Sequence, residues 1–503
     1  MSHTHRPLIA VFTAVALAAC AAAPPPPSRD LSALDAVTSG IDGLPVTTTS
    51  AAARTEYLQG ERELDLARVF EALDHFQRSI AADSTFAAGY LGVANAANSL
   101  ADFKANLAHA EQLAAKVSEA EQLQIQIARK GLENDASGQL ELAQQLVTKY
   151  PDSPRALLAL SNVQLGLNRT AEGRASLEKS LAIAPRFLAA HTALGVSYLF
   201  NDPKDFRQAL QHFQAAQALA PGEPSTHDFL GDAQRALNDL PAARAEYTRG
   251  HELNRRDAGL LQQRGHVNSF AGDWAAARAD YDSAMAVGRG NERGFFAPFR
   301  AYVSVYAGDP AAAITELNTL VAAVDGMHLP DPRAVKVNAL TNVALIGIET
   351  KDFYATDAAL KARTPLMMQQ ADQVGSPAFR RTQEANVAYF ESWLAARRGD
   401  YGAAEVAANR FATLVAPDAN PRKMEPFHQL KGFIALYQGN AREAAAHFAE
   451  GNLQDPYIWY NYAVALEGSG QAVKAKPIFT ALAVYNFNSL GYALIRKQAQ
   501  QKG

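Results

Sequence analysis

Side chains able to do chemistry are present in this chain, but not in arrangements that perform it. Among 12 histidines, three stand immediately before a phenylalanine: His75-Phe76, His212-Phe213 and His447-Phe448. That recurrence has the look of a motif. The spacing suits one repeated position at the edge of a packed helix better than a ligand set. The chain has one cysteine, Cys20, which excludes an internal disulfide framework and any multi-cysteine metal site. There is no phosphate-cradling glycine loop, no Gly-x-Ser-x-Gly, no His-Glu-x-x-His and no dinucleotide turn. Neither paired carboxylates nor a nucleophile beside a base can be recognised. Charged pairs such as Glu246 and Arg249 read as solvated helix surface. These observations point away from an enzyme, a cofactor or a metal centre.

The elements that carry these side chains are helices. From Leu188 the chain reads His191-x-x-Leu194-Gly195-x-x-Tyr198, then Ala209-x-x-x-Phe213, then Pro221. Leu194 and Tyr198 share a face of one helix. Gly195 and Ala209 are small enough for two helices to approach closely, Phe213 fills the space between them, and Pro221 stops the second helix. This stretch resembles the tetratricopeptide (TPR) helix–turn–helix repeat, with His191 in the usual Trp position. His227 and His428 take the same position, where packing is the expected role.

The turns can be followed along the chain. They read Leu167-Asn168, Asn201-Asp202, Asn238-Asp239, Gly272-Asp273, Gly308-Asp309, Lys351-Asp352, Gly399-Asp400, Gly439-Asn440 and Gly470-Gln471. Gly or Asn suits a left-handed helix end, and Asp or Asn caps the next helix. Early turns recur at about 34 to 37 residues, near the TPR period, and later intervals vary. The expected fold is all-α, a TPR-like right-handed superhelix of about ten to twelve antiparallel helix pairs. Residues 54–151 read as divergent N-terminal pairs, 152–290 as a regular array, 291–485 as a divergent array, and 486–503 as a C-terminal capping helix. The segment from Ala67 to Leu160, including Ser118-Glu119-x-Glu121-Gln122, also resembles TPR modules attached to bacterial regulatory kinases and cyclases. No kinase or cyclase domain accompanies it, so this bears on fold alone.

The TPR resemblance implies a concave groove lined by set positions of each first helix. Counting from the turns, those positions are aromatic or amide-bearing in the C-terminal half: Phe295, Phe299, Tyr302, Asn338, Asn342, Tyr389, Trp393, Phe433, Tyr437 and Asn461. In the N-terminal half they are mixed, as in Arg155, Leu158, Asp228 and Asp232. Rings and amides along one groove suit an extended peptide. The Lys and Asn of the TPR carboxylate clamp are not at their positions, which hold Leu158/Asn162, Thr192/Val196, Asp228/Asp232 and Gln262/His266.

The first residues read as an address. A short region with His3, His5 and Arg6 precedes an apolar run from Pro7 to Ala19, too short for a comfortable membrane span. Leu17-Ala18-Ala19-Cys20 resembles a bacterial lipobox. The resemblance implies a signal peptide over 1–19, cleavage before Cys20 and diacylglycerol on its sulfur. Ala21, where Asp would favour inner-membrane retention, implies an outer-membrane, periplasm-facing address. Residues 20–53, with Pro24 to Pro27 and then Ser, Thr and Gly, read as a lipidated tether.

A formal net charge of -4 without a basic stripe makes nucleic acid a poor partner. The expected function is a membrane-anchored, non-enzymatic scaffold or adaptor that binds envelope proteins or peptides through its groove. A structural subunit of an envelope complex and a helical-repeat enzyme are the alternatives.

Overall fold

A computed structural model describes residues 44–97 and 99–503. The segments expected to be a signal peptide, the lipidated Cys20 and the tether as far as residue 43 lie outside the described residues. The described chain is an all-α, TPR-like solenoid. Its helices form twelve antiparallel pairs and a final helix, with no strand among the described residues. The pairs are α1 Ala51–Asp65 and α2 Val69–Ala82; α3 Ala87–Asn95 and α4 Leu100–Leu113; α5 Glu119–Leu132 and α6 Ala136–Lys149; α7 Pro154–Gly166 and α8 Thr170–Ile183. Next come α9 Leu188–Phe200 and α10 Phe206–Leu219; α11 Pro224–Ala236 and α12 Leu240–Leu253; α13 Ala258–Ala271 and α14 Trp274–Val287; α15 Glu292–Tyr306 and α16 Pro310–Ala323. The last are α17 Pro332–Thr350 and α18 Phe353–Val374; α19 Pro377–Arg398 and α20 Tyr401–Val415; α21 Glu425–Tyr437 and α22 Ala441–Ala449; α23 Pro456–Gly468 and α24 Ala472–Ala483; then α25, Leu490–Lys502.

Local chemistry sets these boundaries. Asn168, Asn238, Gly272, Gly308, Lys351, Gly399, Gly439 and Gly470 all have positive φ, the left-handed turn expected of them. Asp239, Asp273, Asp309, Asp352 and Asp400 then cap the second helix, each carboxylate accepting a backbone N–H from the first turn. Asn201 departs from the pattern, with φ of -103°. Its loop is held instead by Arg174, which donates to the carbonyls of Ser197, Asn201 and Pro203. Within a pair, an aromatic ring sits where the facing glycine has no side chain. A Cβ on Gly195 would lie 2.3 Å from the Phe213 ring. The variable spacing of the later turns has a simple cause: α18 and α19 are each 22 residues long.

Neighbouring first helices touch one another along the array, so they line the inner face and the second helices the outer one. The solenoid coils until its second turn rests on its first. The left-handed asparagines of the early turns meet the later chain there. Asn134 Nδ2 donates to Thr382 Oγ1 (3.0 Å), and Asn168 Nδ2 to Asn420 Oδ1 (3.3 Å). Asn238 Oδ1 accepts from Asn486 (2.6 Å). Lys104 and Ser376 add bonds across the same seam, to the carbonyls of Gln373 and Glu133. The partners lie about seven pairs apart, so one superhelical turn takes about seven pairs.

The packed region begins before the helices do. Residues 44–50 belong to the tether by sequence, yet Leu44 is buried with Ala120, Leu123, Leu146 and Ala156. Thr47 donates to Glu121 (2.6 Å), and Ser118 donates to the Pro45 carbonyl (2.9 Å). At the other end the capping helix starts at Leu490, and residues 485–489 are neither helix nor strand.

Candidate functional site: the inner face of the solenoid

In the C-terminal half the inner face is closed by its own side chains. Phe299, Tyr302, Asn342, Tyr389, Trp393 and Phe433 are buried, with Trp393 only 3% and Phe433 0% exposed. Phe295, Asn338, Tyr437 and Asn461 are half-buried. The six buried residues therefore do not line an open groove, which corrects the expectation from sequence for them. They do lie between first helices. Trp393 stacks on Phe433 of α21 at 4.8 Å, reaches Tyr457 of α23 at 5.7 Å, and donates its indole N–H to Tyr437 (3.2 Å). Tyr389 donates to Gln429 (3.2 Å), and Phe299 meets Tyr302 edge-on at 5.4 Å. Asn342 bonds to Asn338 (3.0 Å), Asn461 to the Tyr457 carbonyl (2.8 Å), and Phe295 packs beside Leu329 and Val335. Burial pushes the Tyr302 and Tyr389 hydroxyls well above the usual phenol range, and Tyr437 up to about 12.

The physical reason is curvature. First helices that are not neighbours also meet across the inner side: Tyr457 of α23 donates to the Glu349 carboxylate at the end of α17, where Arg397 of the adjacent α19 donates to the carbonyls of Ile348 and Glu349. The final helix α25 then lies against α15, α17 and α23. Its Tyr492, Leu494 and Ile495 are buried in the same core.

The inner face of the N-terminal half is polar. Arg155 of α7 makes a bidentate pair with Asp65 of α1 (2.7 and 2.8 Å). Burial alone would lower its pKa; Asp65 and Glu61 hold it above the usual range. Burial raises the Glu61 carboxyl. A cavity of about 280 Å³ lies here, lined by Leu44, Tyr57, Glu61, Gln124 and Arg155 among others. Further along, Asp232 accepts from Arg235 (2.9 Å) and Tyr247 (2.7 Å). No group of three or more potential metal ligands occurs among the described residues, and none of their helices is long and apolar enough to cross a membrane.

Against pairs five to eight lies the non-helical stretch Tyr485–Ser489. Asn486 is 1% exposed and meets Asn238; Phe487 packs between Phe200 and Phe206; Asn488 reaches His266, Tyr281 and Tyr306. Sequence reasoning assigned 486–498 to a helix and missed these contacts. The available signal was the alternation Asn486-Phe487-Asn488, a period that fits extended chain rather than helix.

No family model matches this chain, and no curated protein matches it. Solved structures resemble it at low identity. A MamA RS-1 double mutant is 18% identical, covering 33% of this chain and 93% of that one, at a TM-score of 0.29. A thermophilic TPR protein of Thermus thermophilus is 17% identical, covering 43% and 98%, at 0.28. The Cut9–Hcn1 hetero-tetramer of the APC/C matches at 12% identity over 91% of this chain and 79% of that one, at 0.41. The TPR-like fold therefore rests on the helix pairs themselves rather than on these likenesses.

Proposed function

We propose that this chain is a membrane-tethered scaffold that holds a protein partner by an extended segment along the inner face of its first superhelical turn. One observation carries the reading. A non-helical stretch, Tyr485–Ser489, already lies against pairs five to eight: Asn486 meets the Asn238 turn, Phe487 packs on Phe200 of α9 and Phe206 of α10, and Asn488 reaches His266 of α13, Tyr281 of α14 and Tyr306 of α15. A surface that seats one non-helical segment has the shape and polar partners to seat another. The C-terminal aromatic residues take no part, because they hold the inner face closed. The array acts without catalysis, as a support that brings its partner to the membrane.

The tether rests on Leu17-Ala18-Ala19-Cys20, with lipid on Cys20 and an outer-membrane address favoured by Ala21. Two or more acyl chains suffice for stable anchoring. Metabolic labelling with a clickable fatty acid tests it: label should be lost in Cys20→Ser, and label that survives rejects the anchor. For the scaffold, a photo-crosslinking residue at Asn162 or Thr192, on first helices, should capture a discrete envelope protein. The same probe at Val406, 71% exposed on the outer helix α20, should not. Equal capture from both faces would overturn the inner-face assignment.

A further inference from the structure

The contacts of residues 485–488 deepen the scaffold reading, on which this inference rests, because they describe what the inner face selects. Asn486 donates to Asn238 Oδ1 (2.6 Å), on a left-handed turn that presents the amide outward. Phe487 sits in a slot with Phe200 at 5.7 Å and Phe206 at 5.6 Å. Lys204 and Arg235 stand 5.7 and 5.8 Å from its ring centroid. Cations facing an aromatic ring favour it over an aliphatic side chain. Asn488 is bonded on both ends of its amide. The nitrogen donates to His266 Nδ1 (2.8 Å) and Tyr281 (3.2 Å), and the oxygen accepts from the Tyr306 hydroxyl (2.8 Å). All of these partners are more than 180 residues away in sequence. The stretch is neither helix nor strand, and two polar amides flank the Phe487 ring. A segment that served only to fill a core would carry apolar side chains there, as α25 does.

We propose that the seam-side edge of the inner face of pairs five to eight is a recognition site for an Asn–aromatic–Asn segment. In the isolated chain it is occupied by Asn486–Asn488, and a protein partner that presents the same tripeptide displaces them. The resident copy is tethered, so its effective concentration is in the millimolar range expected of short linkers. A partner must outcompete it, which sets a threshold of affinity or avidity and discriminates against weak matches.

The test uses the full chain carrying Phe487→Ala, with a fluorescein-labelled peptide of the sequence from Val484 to Gln498 as probe. Circular dichroism and melting establish that the variant is folded. If it is not, the double substitution Asn486→Ser and Asn488→Ser replaces it. The peptide should bind the variant at least tenfold more tightly than the wild-type chain. A peptide with serine for both asparagines should lose at least tenfold on the variant. Equal affinity for the two chains, or no loss with the serine peptide, overturns the proposal. Photo-crosslinking through Thr192 in envelope extract separates this from the scaffold reading. Partner capture in equal yield by wild type and variant overturns self-occupancy and leaves the scaffold standing. No captured partner, with peptide binding intact, overturns the scaffold and leaves the recognition site.

Discussion

The two halves of this solenoid use the same helix-pair grammar to build different interiors. Between Phe270 and Ala499 most buried apolar side chains belong to one large cluster. Before that they are divided among small ones, such as Leu165, Leu177, Phe187, Ala190 and Leu194, or Ala243, Tyr247, Leu260 and Val267. Most small clusters bridge a few neighbouring helices, as in a repeat array whose stability is a sum of local terms, although Leu66 at the end of α1 packs with Leu188 and Ala216 of the fifth pair. The large one joins helices that are remote in sequence, through Trp393, Tyr457 and α25. The first half can lose a contact locally; the second shares every loss.

The comparison is most exposed to failure at Trp393. Its ring touches Phe433, Tyr437 and Tyr457, and it is 3% exposed. Trp393→Ala should cost about 3–5 kcal/mol. Hydrogen exchange should quicken together across α15 to α25. A loss below about 1 kcal/mol, as expected for an exposed surface residue, would mean the half is not one core.

Leu194 offers the matching perturbation in the first half. It is fully buried in a small cluster. Leu194→Ala should cost about 2–3 kcal/mol, the lower part of the range for such truncations, because a few side chains can close on the space. Faster exchange should stay within α7 to α12. If it spreads to α19 or α21, the halves are coupled as strongly as each is within itself.

What could be read from the sequence follows the same division. Turns and caps are local, so Asn168, Gly308 and Asp400 announced their conformations. The aromatic positions of the first helices were also legible, and they do lie between first helices. Whether that face is open was not legible. It depends on how tightly the solenoid coils, which is set by the 22-residue α18 and α19 and by contacts such as Arg397 to Glu349. Nothing within a window of one repeat encodes such a contact. The same limit hid the seat of Asn486–Asn488, whose partners belong to another superhelical turn.

The seam between turns should be softer than either interior, since polar side chains hold much of it. Asn168→Gly keeps the left-handed turn and removes the bond to Asn420. The site is half-buried, so the loss should be about 0.5–1 kcal/mol, the lower part of the range for a hydrogen bond. Equilibrium unfolding in urea resolves a change of that size. A loss as large as that of Leu194→Ala would make the seam a structural core in its own right.

The smallest effect is expected from two histidine pairs at equivalent positions, one in each half. His191 and His212 approach to 3.3 Å between Nδ1 atoms, and His428 and His447 to 3.2 Å. Partial burial, then the neighbouring His191, bring His212 down to about 4. His447 is lowered by burial, then by His428 and Lys431, while Glu443 and Glu405 oppose the shift. A histidine whose folded pKa lies below its unfolded value of about 6.5 takes up its proton more readily when unfolded. Its contribution is therefore complete above that pH and is lost as pH falls, for His212 between about 6.5 and about 4. Both rings remain partly exposed to solvent, so the loss is modest. The groups facing His212 are His191 and the stacked Tyr198 ring, neither of which offsets a positive charge as the glutamates do near His447. His191→Gln should then flatten the fall in Tm between pH 7 and pH 4.5 more than His428→Gln does. Carboxylates titrate over the same range, but they do so equally in both variants, so the difference between the two profiles isolates the histidines. Profiles that both overlay the wild type would show that neither pair is linked to folding.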